Sequence, residues 1–233
     1  MSRKKTKRWP RIILRWGWKF LLVILILSIL PVLALRYVNP PFTTMMVYSW
    51  LGNSDDGRRH MARHLWRPLR EISPHLRRAV LASEDQRFVA HHGFDFTEMN
   101  QALKDMFSRR GIRGASTITM QTARTVFLWP ERSWLRKAVE AYYTLLIELM
   151  WSKERILEIY LNTVDWGEGI MGAEAASQGY FLVPAARITR SQAALLAAIL
   201  PSPHKWSPTR PNAQVLRRQE RILKDMENMP LLY

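Results

Sequence analysis

Glu84 opens the densest run of reactive side chains in the sequence, Glu84-Asp85-Gln86-Arg87-Phe88-Val89-Ala90-His91-His92-Gly93-Phe94-Asp95. On a helix starting near Pro74, Glu84 falls one turn after Val80 and one turn before Phe88, inside the apolar stripe. A carboxylate in that place is either a structural ion-pair partner or a proton acceptor for chemistry. Asp85 projects elsewhere, so the two acids are not equivalent. His91 and His92 are of a type that ligates metals, but no further histidine follows at ligand spacing. Packing within a loop is the expectation for both.

Two more segments carry polar chemistry. Arg109-Arg110-Gly111-Ile112-Arg113-Gly114-Ala115-Ser116-Thr117 is a basic, glycine-bearing loop before an expected helix, with Ser116 as its cap. Free backbone N–H groups, hydroxyls and arginines at a helix start suit a phosphate group, and a solvated loop is the plain alternative. The GxxxxGK[ST] spacing is absent, so this is not a P-loop. Further on, Arg132, Arg136 and Glu140 stand at successive i, i+4 positions on one helical edge. Such a pattern ordinarily marks a surface ladder of weak ion pairs.

The elements that must position these residues read as helices. Ser73 before Pro74 is an N-cap followed by proline at the first helical position. Asp95-Phe96-Thr97-Glu98 has the form of a capping box. Helices are expected over 134–151 and over 153–162 behind Ser152. An apolar helix over 190–200 ends at Pro201, and an amphipathic one over 212–228 begins at Asn212. Alternating strand patterns are scarce, and the expected class is mainly α.

A chain of 233 residues has room for one ordinary domain and an anchor. It contains no cysteine, which excludes a disulfide framework and thiolate metal sites. The net charge is +16, and eight basic residues with no acidic one between residues 2 and 19 account for half of it. Phe20 to Leu35 then runs uncharged behind Trp16 and Trp18, close to the ~20 residues a spanning helix needs. The basic flank predicts a cytoplasmic N-terminus and everything beyond Arg36 on the far side. No small-x-small cleavage site follows the apolar run, so an uncleaved anchor is favoured over a signal peptide. The expected organisation is a basic tail over 1–19, a transmembrane helix over 20–36, a membrane-proximal segment over 37–70 and a catalytic domain over 71–233. Anionic lipid beside the tail accounts for the charge without nucleic acid.

Five blocks in order resemble glycosyltransferase family 51, the peptidoglycan polymerases. They are ED-x-x-F-x-x-H-x-G-x-D at Glu84–Asp95, G-x-STIT at Gly114–Thr119 with Gln121, and RK-x-x-E at Arg136–Glu140. K-x-x-I-x-x-x-YLN follows at Lys153–Asn162, and WGEGIMGAEAASQGYF at Trp166–Phe181. The resemblance implies a lysozyme-like helical glycosyltransferase domain behind a single N-terminal transmembrane helix. Its reaction joins lipid II, a disaccharide-pentapeptide lipid, to a lipid-linked nascent glycan. One inverting displacement makes β-1,4 strands and releases polyprenyl pyrophosphate.

By that resemblance Glu84 is the general base and Glu140 the second catalytic acid. Asp85, Phe88, His91, Gly93, Ser116, Thr117 and Gln121 match substrate-binding positions. Arg124, Arg132, Arg136 and Lys137 match cations that contact phosphates. A divalent cation, magnesium or manganese, is the only cofactor implied; Glu140 either ligates it or orients those cations, and no organic cofactor enters. The implied setting is the bacterial inner membrane, single-pass, with the catalytic domain periplasmic. Other cell-wall synthesis and division proteins are the implied partners, and no transpeptidase module is expected after Pro203.

Met120 stands where the family has a glutamine, Arg124-Thr125 where it has Lys-Asn, and Val183 near an expected lysine. Met120 is expected to remove an amide that would hydrogen-bond substrate. The competing functions are a lysozyme-like lytic enzyme, which would have no use for phosphate-binding cations, and a non-catalytic cell-wall scaffold. Lengthening or shortening of glycan separates the first from a polymerase, and turnover separates the second.

Overall fold

The computed structural model describes residues 9–52, 65–108, 114, 116–167 and 169–233. It divides into two compact units, Met1–Val38 and Asn39–Tyr233. The first holds α1 (Trp9–Leu35), within which Arg15–Leu35 is long and apolar enough to cross a membrane, with a mean hydropathy of 2.5. The helix begins before the apolar run expected at residue 20. Pro10 sits in its first turn, where a missing N–H costs nothing, and the one weak helix former before Lys19, Gly17, costs only about 1 kcal/mol.

In the second unit, α2 (Thr44–Gly52) comes first, within the segment expected to lie near the membrane. The polar stretch 53–57 lies outside the described residues. The chain then runs through α3 (Pro74–Glu84), α4 (Phe96–Phe107), α5 (Ile118–Phe127), α6 (Trp134–Met150) and α7 (Lys153–Thr163). It finishes with α8 (Ala173–Phe181), α9 (Arg190–Ile199) and α10 (Ala213–Asp225). Among the described residues the only β-type pairings are isolated bridges, His92 with Phe94 and Asp165 with Met171. The mainly α, lysozyme-like class is borne out.

Side-chain caps set most of the boundaries. Ser73, Asp95, Ser133, Ser152, Thr189 and Asn212 each accept a backbone N–H from the first turn they precede, satisfying donors a helix leaves free. Three sequence expectations shift. Thr117, not Ser116, caps α5, accepting from Met120 N–H at 3.2 Å. α6 starts after Ser133, so Arg132 precedes the helix and shares no helical edge with Arg136. α3 stops at Glu84, because Asp85 leaves the helical region at φ −162°, ψ 78°. Phe88 is therefore not on the same helix as Glu84.

Packing follows the apolar faces. α9 is buried at Ala193, Ala194, Leu196, Ala197, Ala198 and Ile199, and its small residues let α3 and α10 close on it. α5 packs on α6 and α7, whose Ile156, Leu157, Ile159 and Leu161 are inaccessible to solvent. Each fully buried Leu or Ile contributes about 1.5–3 kcal/mol from burial. Leu196→Ala should lower the unfolding free energy by about 2–5 kcal/mol, read by urea denaturation. An unchanged midpoint would show that α9 is not what the flanking helices close on.

Candidate active site

Glu84 is the last residue of α3, half-buried, and both carboxylate oxygens are held. Ser83 Oγ donates to Oε1 at 3.1 Å, and Gln121 Nε2 donates to Oε2 at 3.0 Å. A helix C-terminus is an unfavourable place for an anion, so these donors offset what the helix end costs it. The Gln121 amide is oriented in turn by Tyr160, whose hydroxyl donates to Gln121 Oε1 at 3.2 Å. Burial pushes the Tyr160 phenol well above the usual tyrosine range, and the Glu84 carboxylate pushes the same way against Arg124. Tyr160 therefore keeps its proton, and the amide nitrogen of Gln121, not its oxygen, faces Glu84.

Asp85 turns the other way. Its side chain is buried, with His91 Nε2 at 2.9 and 3.0 Å from its two oxygens, and the Ile118 N–H donates to Oδ2 at 3.0 Å. One carboxylate thus ties the end of α3 to the following loop and to the first turn of α5. Asp95 caps α4 and lies 3.0 Å from Arg87 Nε. Asp85, His91 and Asp95 place one potential ligand atom each within 4.8 Å. The bonds of Asp85 to His91 and Ile118, and of Asp95 to α4, already account for this cluster as structure.

Behind it, Lys153 Nζ donates to the His91 carbonyl and to Glu148 Oε1, both at 2.8 Å, and lies 4.5 Å from the Phe88 ring centre. Gly93 is at φ +86°, and a Cβ there would meet Thr144 Cγ2 at 2.8 Å. Glycine is required by both the dihedral and the close approach. The Gly93 carbonyl accepts from Thr117 Oγ1 at 2.6 Å.

Glu84, Asp85, Ser116, Thr117, Gln121 and Arg218 are among the residues lining an open cleft of about 740 Å³. Phe88, His91 and Gly93 do not line it; His91 and Gly93 bond instead to Asp85 and Thr117, which do. Of the cations assigned to phosphates, Arg136 and Lys137 gather on Glu140. Glu140 is fully buried and accepts from Arg136 Nη1 at 2.8 Å and from Lys137 Nζ at 2.5 Å. This corrects the expected surface ladder: the pair lies inside, where removing one partner strands a charge. Arg132 is exposed ahead of α6, and Arg124 is half-buried in the last turn of α5. With both oxygens taken by cations, Glu140 does not fit a divalent-cation ligand.

Met120 is turned into the core, only 6% exposed, while its neighbour Gln121 reaches Glu84. A loss of substrate contact at Met120 is therefore not what this packing implies. The basic loop at 109–113, together with Ala115, lies outside the described residues. Ser83 and Arg218 at the site were not singled out from the sequence, and Tyr160 entered only as the tyrosine of the YLN block, with no role given to it. Tyr160 follows the buried Ile156 by one turn, and Arg218 falls between the buried Val215 and Ile222. A polar group on an apolar stripe was the available signal, the one that drew notice to Glu84.

Fold and cleft together define a class, a helical, lysozyme-like domain with an open polar cleft at the end of α3. A family profile described as Transglycosylase matches residues 53–227. A biosynthetic peptidoglycan transglycosylase of Chromohalobacter salexigens is 48% identical over 225 residues, covering 93% of this chain and 94% of that protein. Proteins of the same name from Bacteroides thetaiotaomicron and Pseudomonas aeruginosa are 44% and 46% identical. They cover 94% and 93% of this chain, and 88% and 93% of their own lengths. The chain belongs to the transglycosylase family, and it is a glycosyltransferase.

Asp85→Ala would leave the His91 ring nitrogen and the Ile118 N–H without their buried acceptor. It should destabilise the domain by about 1–3 kcal/mol for each donor stranded, measured by thermal or urea unfolding. A variant as stable as the wild type would mean that the loop holds its shape without this carboxylate.

Proposed function

We propose that the chain polymerises lipid II into the β-1,4 glycan strands of peptidoglycan, releasing polyprenyl pyrophosphate, with Glu84 as general base. One observation carries the reading: a carboxylate held at both oxygens by neutral donors, facing an open polar cleft. Neutral hydrogen bonds fix the direction of the carboxylate without pairing it to a cation, which leaves it able to take a proton.

An acceptor sugar hydroxyl in the cleft gives its proton to Glu84 as its oxygen bonds to the donor anomeric carbon. The bond from that carbon to the pyrophosphate breaks, and its electron pair leaves with the phosphate. The single displacement inverts the anomeric centre. Phosphate is a competent leaving group, so the need on that side is cationic stabilisation rather than an acid. Arg124, Arg132, Arg136 and Lys137 supply it, and Glu140 holds Arg136 and Lys137 in place from below.

Substrate and product both carry a polyprenyl chain, which suits an anchored enzyme. In this reading α1 spans the inner membrane once, with the N-terminus cytoplasmic and the catalytic unit periplasmic, working beside other cell-wall synthesis and division proteins.

The test is polymerisation of purified disaccharide-pentapeptide lipid by the full-length protein and by Glu84→Gln, with products resolved by chain length. Glu84→Gln should lose roughly 10²–10⁴-fold in rate. Shortening of added glycan would instead mark a lytic enzyme. No polymer from folded wild type would mark a non-catalytic scaffold.

A further inference from the structure

Arg218 lies on α10, beyond all five motif blocks, yet it reaches the residue that holds Glu84. Its Nε donates to the Ala198 carbonyl at 3.0 Å, and its Nη2 donates to Ser83 Oγ at 3.3 Å. The guanidinium also faces the Trp206 ring, 6.0 Å from its centre. The arginine is thus fixed by α9, by an aromatic face and by α3 together. Burial lowers its pKa and the negative charge of Glu84 opposes that shift, so Arg218 senses the carboxylate as well as its neighbour.

Ser83 is the link. Its Oγ lies 3.1 Å from Glu84 Oε1 and 3.0 Å from the Ala197 carbonyl. A hydroxyl has one proton, so these two acceptors compete for it. Arg218 donates to the lone-pair side of the same oxygen, which aims the hydroxyl proton at one or other acceptor. While Glu84 is a carboxylate, the proton points to it. Once Glu84 has taken up a proton, the Ser83 hydroxyl can rotate to the Ala197 carbonyl and keep its own.

We infer that Arg218 is a positioning residue for the base, acting through the Ser83 hydroxyl to hold the Glu84 carboxylate in its productive direction. The inference rests on Glu84 being the base. It assigns to α10 a part in catalysis without contact to substrate, although Arg218 borders the cleft. Arg217, the preceding residue, is exposed and serves as a neighbouring control.

The experiment measures kcat and KM for glycan formation from the disaccharide-pentapeptide lipid, using full-length wild type, Glu84→Gln, Arg218→Met, Ser83→Ala, Ser83→Thr and Arg217→Met. Arg218→Met and Ser83→Ala should each lower kcat by roughly 10- to 100-fold with KM nearly unchanged. Ser83→Thr retains the hydroxyl and should restore most of the rate, and Arg217→Met should behave as wild type. If Arg218→Met does not fold, Ser83→Ala decides, because it leaves the bond between Arg218 and Ala198 in place. A raised KM at constant kcat would make Arg218 a substrate contact and overturn the inference. Wild-type rates for Arg218→Met and Ser83→Ala beside an inactive Glu84→Gln would overturn the positioning role alone. Full activity in Glu84→Gln would remove the base assignment, and this inference with it.

Discussion

The buried carboxylate of Asp85 is the constraint on which the site depends. It binds the His91 ring and the first backbone N–H of α5, and in doing so it ends α3 one residue earlier. That termination leaves Glu84 on the last turn of α3, directed at the cleft. The same bond to Ile118 fixes where α5 starts. Three residues along α5, Gln121 then comes within reach of Glu84. Two adjacent acids thus have opposite surroundings, one bonded into the join between segments and the other presented to the cleft. In a low-dielectric interior an unpaired Asp85 would be costly, so its two partners, the His91 ring and the Ile118 N–H, are part of what makes this turn stable.

A second layer of polar bonds holds that turn from behind. Lys153 spans from the His91 carbonyl to Glu148, and Glu148 also accepts from Thr119 on α5. The loop after α3 is therefore tied to α5, α6 and α7, and Gly93 allows it to pass close to Thr144. Arg136, Lys137 and Glu140 on α6 form a separate charged cluster. Because α5 packs on α6, Gln121 with its bond to Glu84 shares one frame with these cations.

Much of this was legible in the residues. The caps at Ser73, Asp95, Ser152 and Asn212 are local interactions between a side chain and N–H groups two or three residues on, so sequence alone reveals them. The prominence of Glu84 followed from its place on an apolar stripe. Other features were legible but misplaced. Ser116 and Thr117 are both competent caps, and only the bond of Thr117 to the Gly93 carbonyl selects between them. Arg132 has the right spacing from Arg136, but Ser133 takes the cap and leaves it outside the helix.

By itself the sequence determined the helical class, the apolar N-terminal helix and the family, and it singled out Glu84 as an acid on an apolar stripe. These follow from periodicity, from caps and from motifs, all of which are short-range. The tertiary structure decided what each polar group is bonded to. Glu140 became a buried anchor for two cations, Met120 a core residue, and Tyr160, Ser83 and Arg218 the supports of Glu84. Gln121 lies 37 positions from Glu84 and Tyr160 39 from Gln121, and Arg218 lies 135 positions from Ser83. Hydrogen bonds over such separations form only once helices pack, so no local pattern specifies them.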